Sequence, residues 1–159
     1  MKRLIVGAAL MALVGGASAQ QWVVTGEEEA EHLNDSMPHI PMYLAIWTAP
    51  RSGHHVVIHY PSPECSSGKE IDDDQTVSLN GRGYEARKTC NGNEVNFDFN
   101  YFVDRTGESD ASLALKEIKT DKPIVVQLSS ASTPIVFMNP NGKWAAETVK
   151  VLPYDMGDN

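Results

Sequence analysis

Residues 94 to 104, EVNFDFNYFVD, alternate apolar and polar side chains with a period of two. Val95, Phe97, Phe99, Tyr101 and Val103 fall on one face. Asn96, Asp98, Asn100 and Asp104 fall on the other, with Phe102 the exception. A strand has that period and a helix does not, so the stretch predicts a half-buried antiparallel strand.

Other segments point the same way. Residues 42–48, MYLAIWT, are apolar at nearly every position, as in a strand covered on both faces. Tyr43, Ala45 and Trp47 share one side, Leu44 and Ile46 the other. Residues 54–60, HHVVIHY, are β-branched at their centre and end at Pro61 and Pro63. TVSLNGRGYEARKTC reads as a hairpin around Asn80-Gly81-Arg82-Gly83, and Asn91-Gly92 marks a second tight turn. WVVT, PIVVQLSS, TPIVFMN and KWAAETVKVLP supply further strands, and residues 66–75 read as an acidic loop. In TGEEEAEHLND, Thr25 and Glu28 stand in capping-box register, which predicts a short helix or a solvated acidic turn. In SDASLALKEIKTDK, Ser109 or Asp110 caps a helix whose stripe is Ala111, Ala114, Leu115 and Ile118. The expected fold is therefore mainly β: an antiparallel sandwich or partly open barrel of about seven to eight strands, with one or two short helices. Residues 111–138, a lysine-flanked helical segment leading into IVVQLSS, resemble the invasion-associated locus B family of periplasmic proteins. The resemblance covers under a quarter of the chain and carries no functional residue across.

The first residues read as an export signal. Met1-Lys2-Arg3 is basic, Leu4 to Val14 is apolar, and Ala17-Ser18-Ala19 is the small-x-small pattern of a cleavage site before Gln20. That apolar run is far below the roughly 20 residues a membrane span needs. The domain reading is a signal peptide over 1–19 and one soluble β-rich domain over 20–159, in the periplasm or outside the cell. Removing Lys2 and Arg3 takes the formal charge from −8 to −10. An acidic surface repels phosphate backbones and anionic lipid, so neither nucleic acid nor membrane insertion is expected. The sequence does not fix an oligomeric state. In an oxidising compartment the two cysteines, Cys65 and Cys90, are expected to pair.

Candidate chemistry is sparse. His55 and His59 have the spacing of helical zinc sites, but Val56 stands where a zincin places its glutamate. On a strand the two histidines lie about 13 Å apart and cannot share a zinc. They are expected on the solvent or partner side, with Val57 between them. Met37, His39 and Met42 are soft or borderline ligands suited to copper(I). There is no nucleophile elbow, phosphate-binding loop or dinucleotide-binding glycine pattern. Asp98 with Glu94 or Asp104 has the chemistry of a glycosidase pair, against the simpler reading of a solvated face. Asp72-Asp73-Asp74 lacks the calcium-loop pattern. Without a catalytic signature or an expected cofactor, the sequence reads as a non-enzymatic binding or protein-interaction module on a disulfide-bonded β scaffold. The candidate binding residues are His55, His59, Ser130 and Ser132. A copper-type metal protein is the alternative, and a hydrolase with a dispersed site the third.

Overall fold

The computed structural model describes residues 22–25, 29–34, 41–49, 53–66, 70–101 and 107–149. Nine strands lie among them: β1 (Trp22–Val24), β2 (Glu29–Asn34), β3 (Met42–Ala49), β4 (Gly53–Pro61), β5 (Asp72–Leu79), β6 (Arg82–Asn91), β7 (Glu94–Asp98), β8 (Ile124–Gln127) and β9 (Ile135–Phe137). Three helices, α1 (Pro63–Ser66), α2 (Asp110–Ile118) and α3 (Gly142–Thr148), and a 3₁₀ turn at Phe99–Tyr101 complete the set. All nine strands form one antiparallel sheet in the order β1-β2-β3-β4-β7-β6-β5-β8-β9. The sheet curls into a half-barrel, the partly open form of the expected fold.

Period-two burial decides which face points inward. Leu44 and Ile46 of β3, Val56 and Ile58 of β4, Val95 and Phe97 of β7, and Tyr84 and Ala86 of β6 all join one apolar core. The cross-strand register puts them side by side: Ile46 opposite Val56, and Leu44 opposite Ile58, itself opposite Phe97. α2 seals this face. Ser109 caps it, its Oγ accepting from Ser112 N at 3.1 Å, and the predicted stripe of Ala111, Ala114, Leu115 and Ile118 is buried. The Cys65–Cys90 disulfide ties α1 to β6, with a Cα–Cα distance of 5.5 Å.

The two ends of the sheet order approach each other across the core. The fully buried His32 ring of β2 meets Trp22 of β1 edge-on at 5.5 Å and Phe137 of β9 at 5.8 Å. Trp22 Nε1 donates to Asn139 Oδ1 at 2.7 Å, and Asn139 Nδ2 donates to the Ile118 carbonyl at 2.7 Å. One buried amide thus joins β1, the end of α2 and the entry to α3. Gly142 packs so closely on it that a Cβ there would collide with Asn139 Oδ1 and the Ile118 oxygen.

Four expectations fail, each for a local reason. Residues 29–34 are a strand, not a helix or acidic turn: Ala30 and His32 turn inward while Glu29 and Glu31 face the other way. The segment 142–148 is a helix, not a last strand. Gly142, Ala145, Ala146 and Val149 are buried at helical spacing, with Lys143, Trp144 and Glu147 outside. Asp72–Asp74 belong to β5 rather than to a loop, because β6 sets Lys88 opposite Asp73 and Arg87 opposite Asp74. The strand opening at Glu94 ends at Asp98. There the Asp98 carboxylate accepts from Asn100 N at 2.9 Å, the bond of an aspartate turn, and the chain enters the 3₁₀ turn. The remainder of the strand expected to Asp104 falls at 102–104, outside the described residues, as does the reading of residues 1–19 as a signal peptide.

Candidate functional site

The face of the sheet turned away from the core carries the polar chemistry. Register assembles it in rows. Glu31, Ala45, Val57 and Asp98 form one row across β2, β3, β4 and β7. Tyr43, His59 and Asn96 form the next, and Trp47 faces His55 beyond. Ala45 and Val57 are buried, yet neither belongs to the core on the opposite side. They floor a groove of about 620 Å³. Its walls are Trp47, His59 and Thr89, together with Glu29, Glu31, Glu94, Asn96 and Asp98.

Two aromatic–histidine stacks frame the groove. The Trp47 and His55 rings lie 3.7 Å apart and nearly parallel at 11°. Tyr43 and His59 stack at 4.9 Å and 14°. Each imidazole is held at both nitrogens. His55 Nδ1 meets Asp98 Oδ2 at 2.7 Å, and Asn100 Nδ2 meets His55 Nε2 at 3.0 Å. An ionised carboxylate only accepts, and the amide nitrogen only donates. A neutral imidazole protonated at Nδ1 satisfies both bonds, so His55 Nε2 spends its lone pair on Asn100. His59 Nδ1 meets Glu94 Oε2 at 3.0 Å, and its Nε2 faces Glu31 Oε1 at 3.5 Å.

The four expected binding residues divide. His55 and His59 lie on the face that alternation assigned them, but His55 is buried, only 6% exposed, beneath Trp47 rather than open to solvent. Ser130 and Ser132 lie in the turn from β8 to β9, beyond β5 in the strand order and away from the groove. Ser132 Oγ accepts from Ser129 N at 3.1 Å and donates to the Ser129 carbonyl at 2.9 Å, which closes that turn. Of the copper set, Met42 is buried in the core from β3, while Met37 and His39 lie outside the described residues. Among the described residues no group of three His, Cys, Asp or Glu side chains is arranged to hold a metal. Of the glycosidase candidates, Asp98 and Glu94 are both in the groove. Both Asp98 oxygens accept bonds, from His55 and Asn100, and Glu94 is held by His59.

Sequence reasoning missed Glu29 and Glu31 because it read their segment as a short helix or a solvated acidic turn. Their alternation with Ala30 and His32 was the available signal. The ring stacks required the β3–β4 register, which two short apolar runs do not specify. No family model, curated protein or solved structure matches the chain. No helix among the described residues is long and apolar enough to cross a membrane.

Proposed function

We propose that this chain is an exported, non-enzymatic binding module that takes a positively charged ligand in the groove over β2, β3, β4 and β7. The observation that carries the non-enzymatic reading is the engagement of His55. In a serine or cysteine hydrolase the Nε2 of a carboxylate-held histidine faces the nucleophile. Here Asn100, which has no nucleophilic atom, occupies that position at 3.0 Å. The lining supports the charge class. Glu29, Glu31, Glu94 and Asp98 contribute carboxylates, and among the described residues no Lys or Arg lines the groove, the nearest in register being Arg87 opposite Asp98. The Trp47 ring adds an aromatic surface of the kind that attracts organic cations. A protein partner presenting a Lys or Arg side chain and a free organic amine satisfy the same chemistry. Export is supported by the disulfide, which suits an oxidising compartment, and by the basic, apolar, Ala-x-Ala order of residues 1–19.

The test is a fluorescence titration of the oxidised protein with organic amines and with acetyl-lysine as the uncharged control. Saturable change with the amines, lost in Trp47→Leu and weakened in Glu31→Gln and Glu94→Gln, supports the proposal. Binding untouched by all three substitutions overturns it, as does substrate turnover abolished by His55→Ala in a folded protein.

A further inference from the structure

A second feature lies at the other end of the sheet, where β5 and β8 part. β5 pairs with β6 along its whole length, Asp72 to Leu79. With β8 it pairs only at Ser78 and Leu79. The split has a local cause. Beyond Gln127 the chain folds into a turn in which Ser132 N donates to the Ser129 carbonyl at 3.0 Å. Gln127 Nε2 also donates to the Ser132 carbonyl at 3.2 Å. The backbone that would have continued β8 alongside β5 is committed to that turn. Asn80 N donates to the Val125 carbonyl at 2.8 Å, which fixes even-numbered residues of this segment as those whose backbone groups point toward β8. By the same period, the N–H and C=O of Thr76, Asp74 and Asp72 point to an edge beside which no described strand lies. A cavity of about 610 Å³ lies there, lined by Gln75, Thr76 and Ser78 on one side and by Gln127, Ser129 and Ser130 on the other.

We infer that this slot accepts an extended, basic segment of a partner protein as an added antiparallel or parallel strand against Asp72–Thr76. Main-chain bonding supplies the attachment in this mode, and side chains at alternate positions supply selectivity. Charge selects the occupant. Asp72, Asp73 and Asp74 are all exposed on the receiving strand; Arg87 pairs with Asp72, so three carboxylates face Arg87 and Lys88 from β6 and the edge keeps a net negative charge. A second copy of the same edge would bring aspartates against aspartates, which opposes self-pairing. A strand carrying Lys or Arg at facing positions meets complementary charge, and the hydroxyl and amide lining accepts polar neighbours. Ser130, remote from the groove, gains a role here as part of the slot wall.

The probes are two labelled, end-blocked peptides, one alternating Lys with Val and one alternating Glu with Val, added to the full oxidised chain. The Lys peptide is expected to bind about tenfold or more tightly than the Glu peptide at low salt, and to slow amide exchange at Asp72, Asp74 and Thr76. Thr76→Pro removes an edge N–H that makes no bond to β6 and should weaken the Lys peptide about tenfold. Asp73→Asn with Asp74→Asn tests the same site without a backbone change and should erase the preference between the peptides. Trp47→Leu should leave binding intact. Loss of peptide binding in Trp47→Leu would overturn the slot and assign the peptide to the groove. Equal affinity for both peptides, or protection at β1 or β9 in place of β5, would overturn it as well. Protection of Thr76 that rises with protein concentration in the absence of peptide would show that a second copy closes the edge, and would also overturn it.

Discussion

The two faces of the β3–β4 pair are made by the same 8 and 9 residues of backbone and differ completely in what holds them. On the inner face Leu44, Ile46, Val56 and Ile58 are all essentially inaccessible and held by apolar packing. On the outer face Tyr43, Trp47, His55 and His59 are stacked in pairs, and the two imidazoles are tied by hydrogen bonds to Asp98, Asn100 and Glu94. The inner face is an arrangement that many apolar side chains satisfy. The outer face depends on particular donors and acceptors. Folding energy should therefore concentrate inside, and ligand recognition outside.

The largest separation between the faces should come from Ile58→Ala against His59→Ala, neighbours that point opposite ways. Ile58 is fully buried between Leu44 and Phe97, and its truncation should cost about 2–5 kcal/mol in denaturant unfolding. His59→Ala, on the partly open face, should cost about 1 kcal/mol or less while removing the stack with Tyr43. Comparable losses for the two would mean that the outer face is a second core.

The disulfide closes the inner face at one end, so Cys90→Ser should act on stability without touching the groove. The bridge spans 25 residues, and loop closure alone predicts a loss of about 3.5 kcal/mol. Thermal melts of oxidised wild type and the variant measure it, with groove binding by the amine probe as the control. A large loss of amine affinity in a folded Cys90→Ser protein would couple the two faces.

Asp98→Asn isolates the outer network. Asp98 holds His55 through one oxygen and starts the 3₁₀ turn through the other. An amide can keep one of those bonds but presents an N–H where the other oxygen accepted, so the expected loss is about 1–3 kcal/mol. Amine binding should fall more than stability does, because His55 and the Trp47 ring stacked on it lose their anchor.

How much of this was legible in the sequence follows the same division. The inner face was readable because apolar side chains repeat with a fixed period. Val95 and Phe97, Leu44 and Ile46, and the α2 stripe all point where the pattern put them. The cysteine pairing followed from there being only two. The α3 stripe of Gly142, Ala145, Ala146 and Val149 was also present in the sequence. It was obscured because Trp144, the largest apolar residue of the segment, faces outward at 52% exposure. The groove was half legible: alternation put His55 and His59 on one face, but nothing local pairs His55 with Asp98, 43 positions away. Such contacts depend on register, which the hydrophobic pattern constrains and the polar residues do not announce. The start of β5 was unreadable for a related reason, and β2 offered only the short alternation of Glu29 and Glu31 with Ala30 and His32. Their strands are acidic and are specified by their neighbours, not by their own composition.

The smallest effect expected concerns β5, where an acidic strand is held by a basic neighbour. The Arg87 guanidinium donates Nη2 to Asp72 Oδ2 at 2.7 Å, and this hydrogen bond, assisted by the positive charge, holds the Asp72 carboxyl below the usual aspartate range. A group whose value is lower when folded adds stability in its ionised form. Its contribution is therefore complete above the ordinary aspartate value, about 3.9, and is lost as the pH falls through the lower folded value. Asp72 is well exposed, its side chain 59% accessible, so solvent screens the pair and the effect is small. Asp72→Asn should leave stability near neutral pH almost unchanged and make the acid limb of the stability curve slightly shallower. High salt should shrink even that difference. A loss at neutral pH rivalling that of Asp98→Asn would mean that the outer face is held together at β5 and β6 as firmly as around His55.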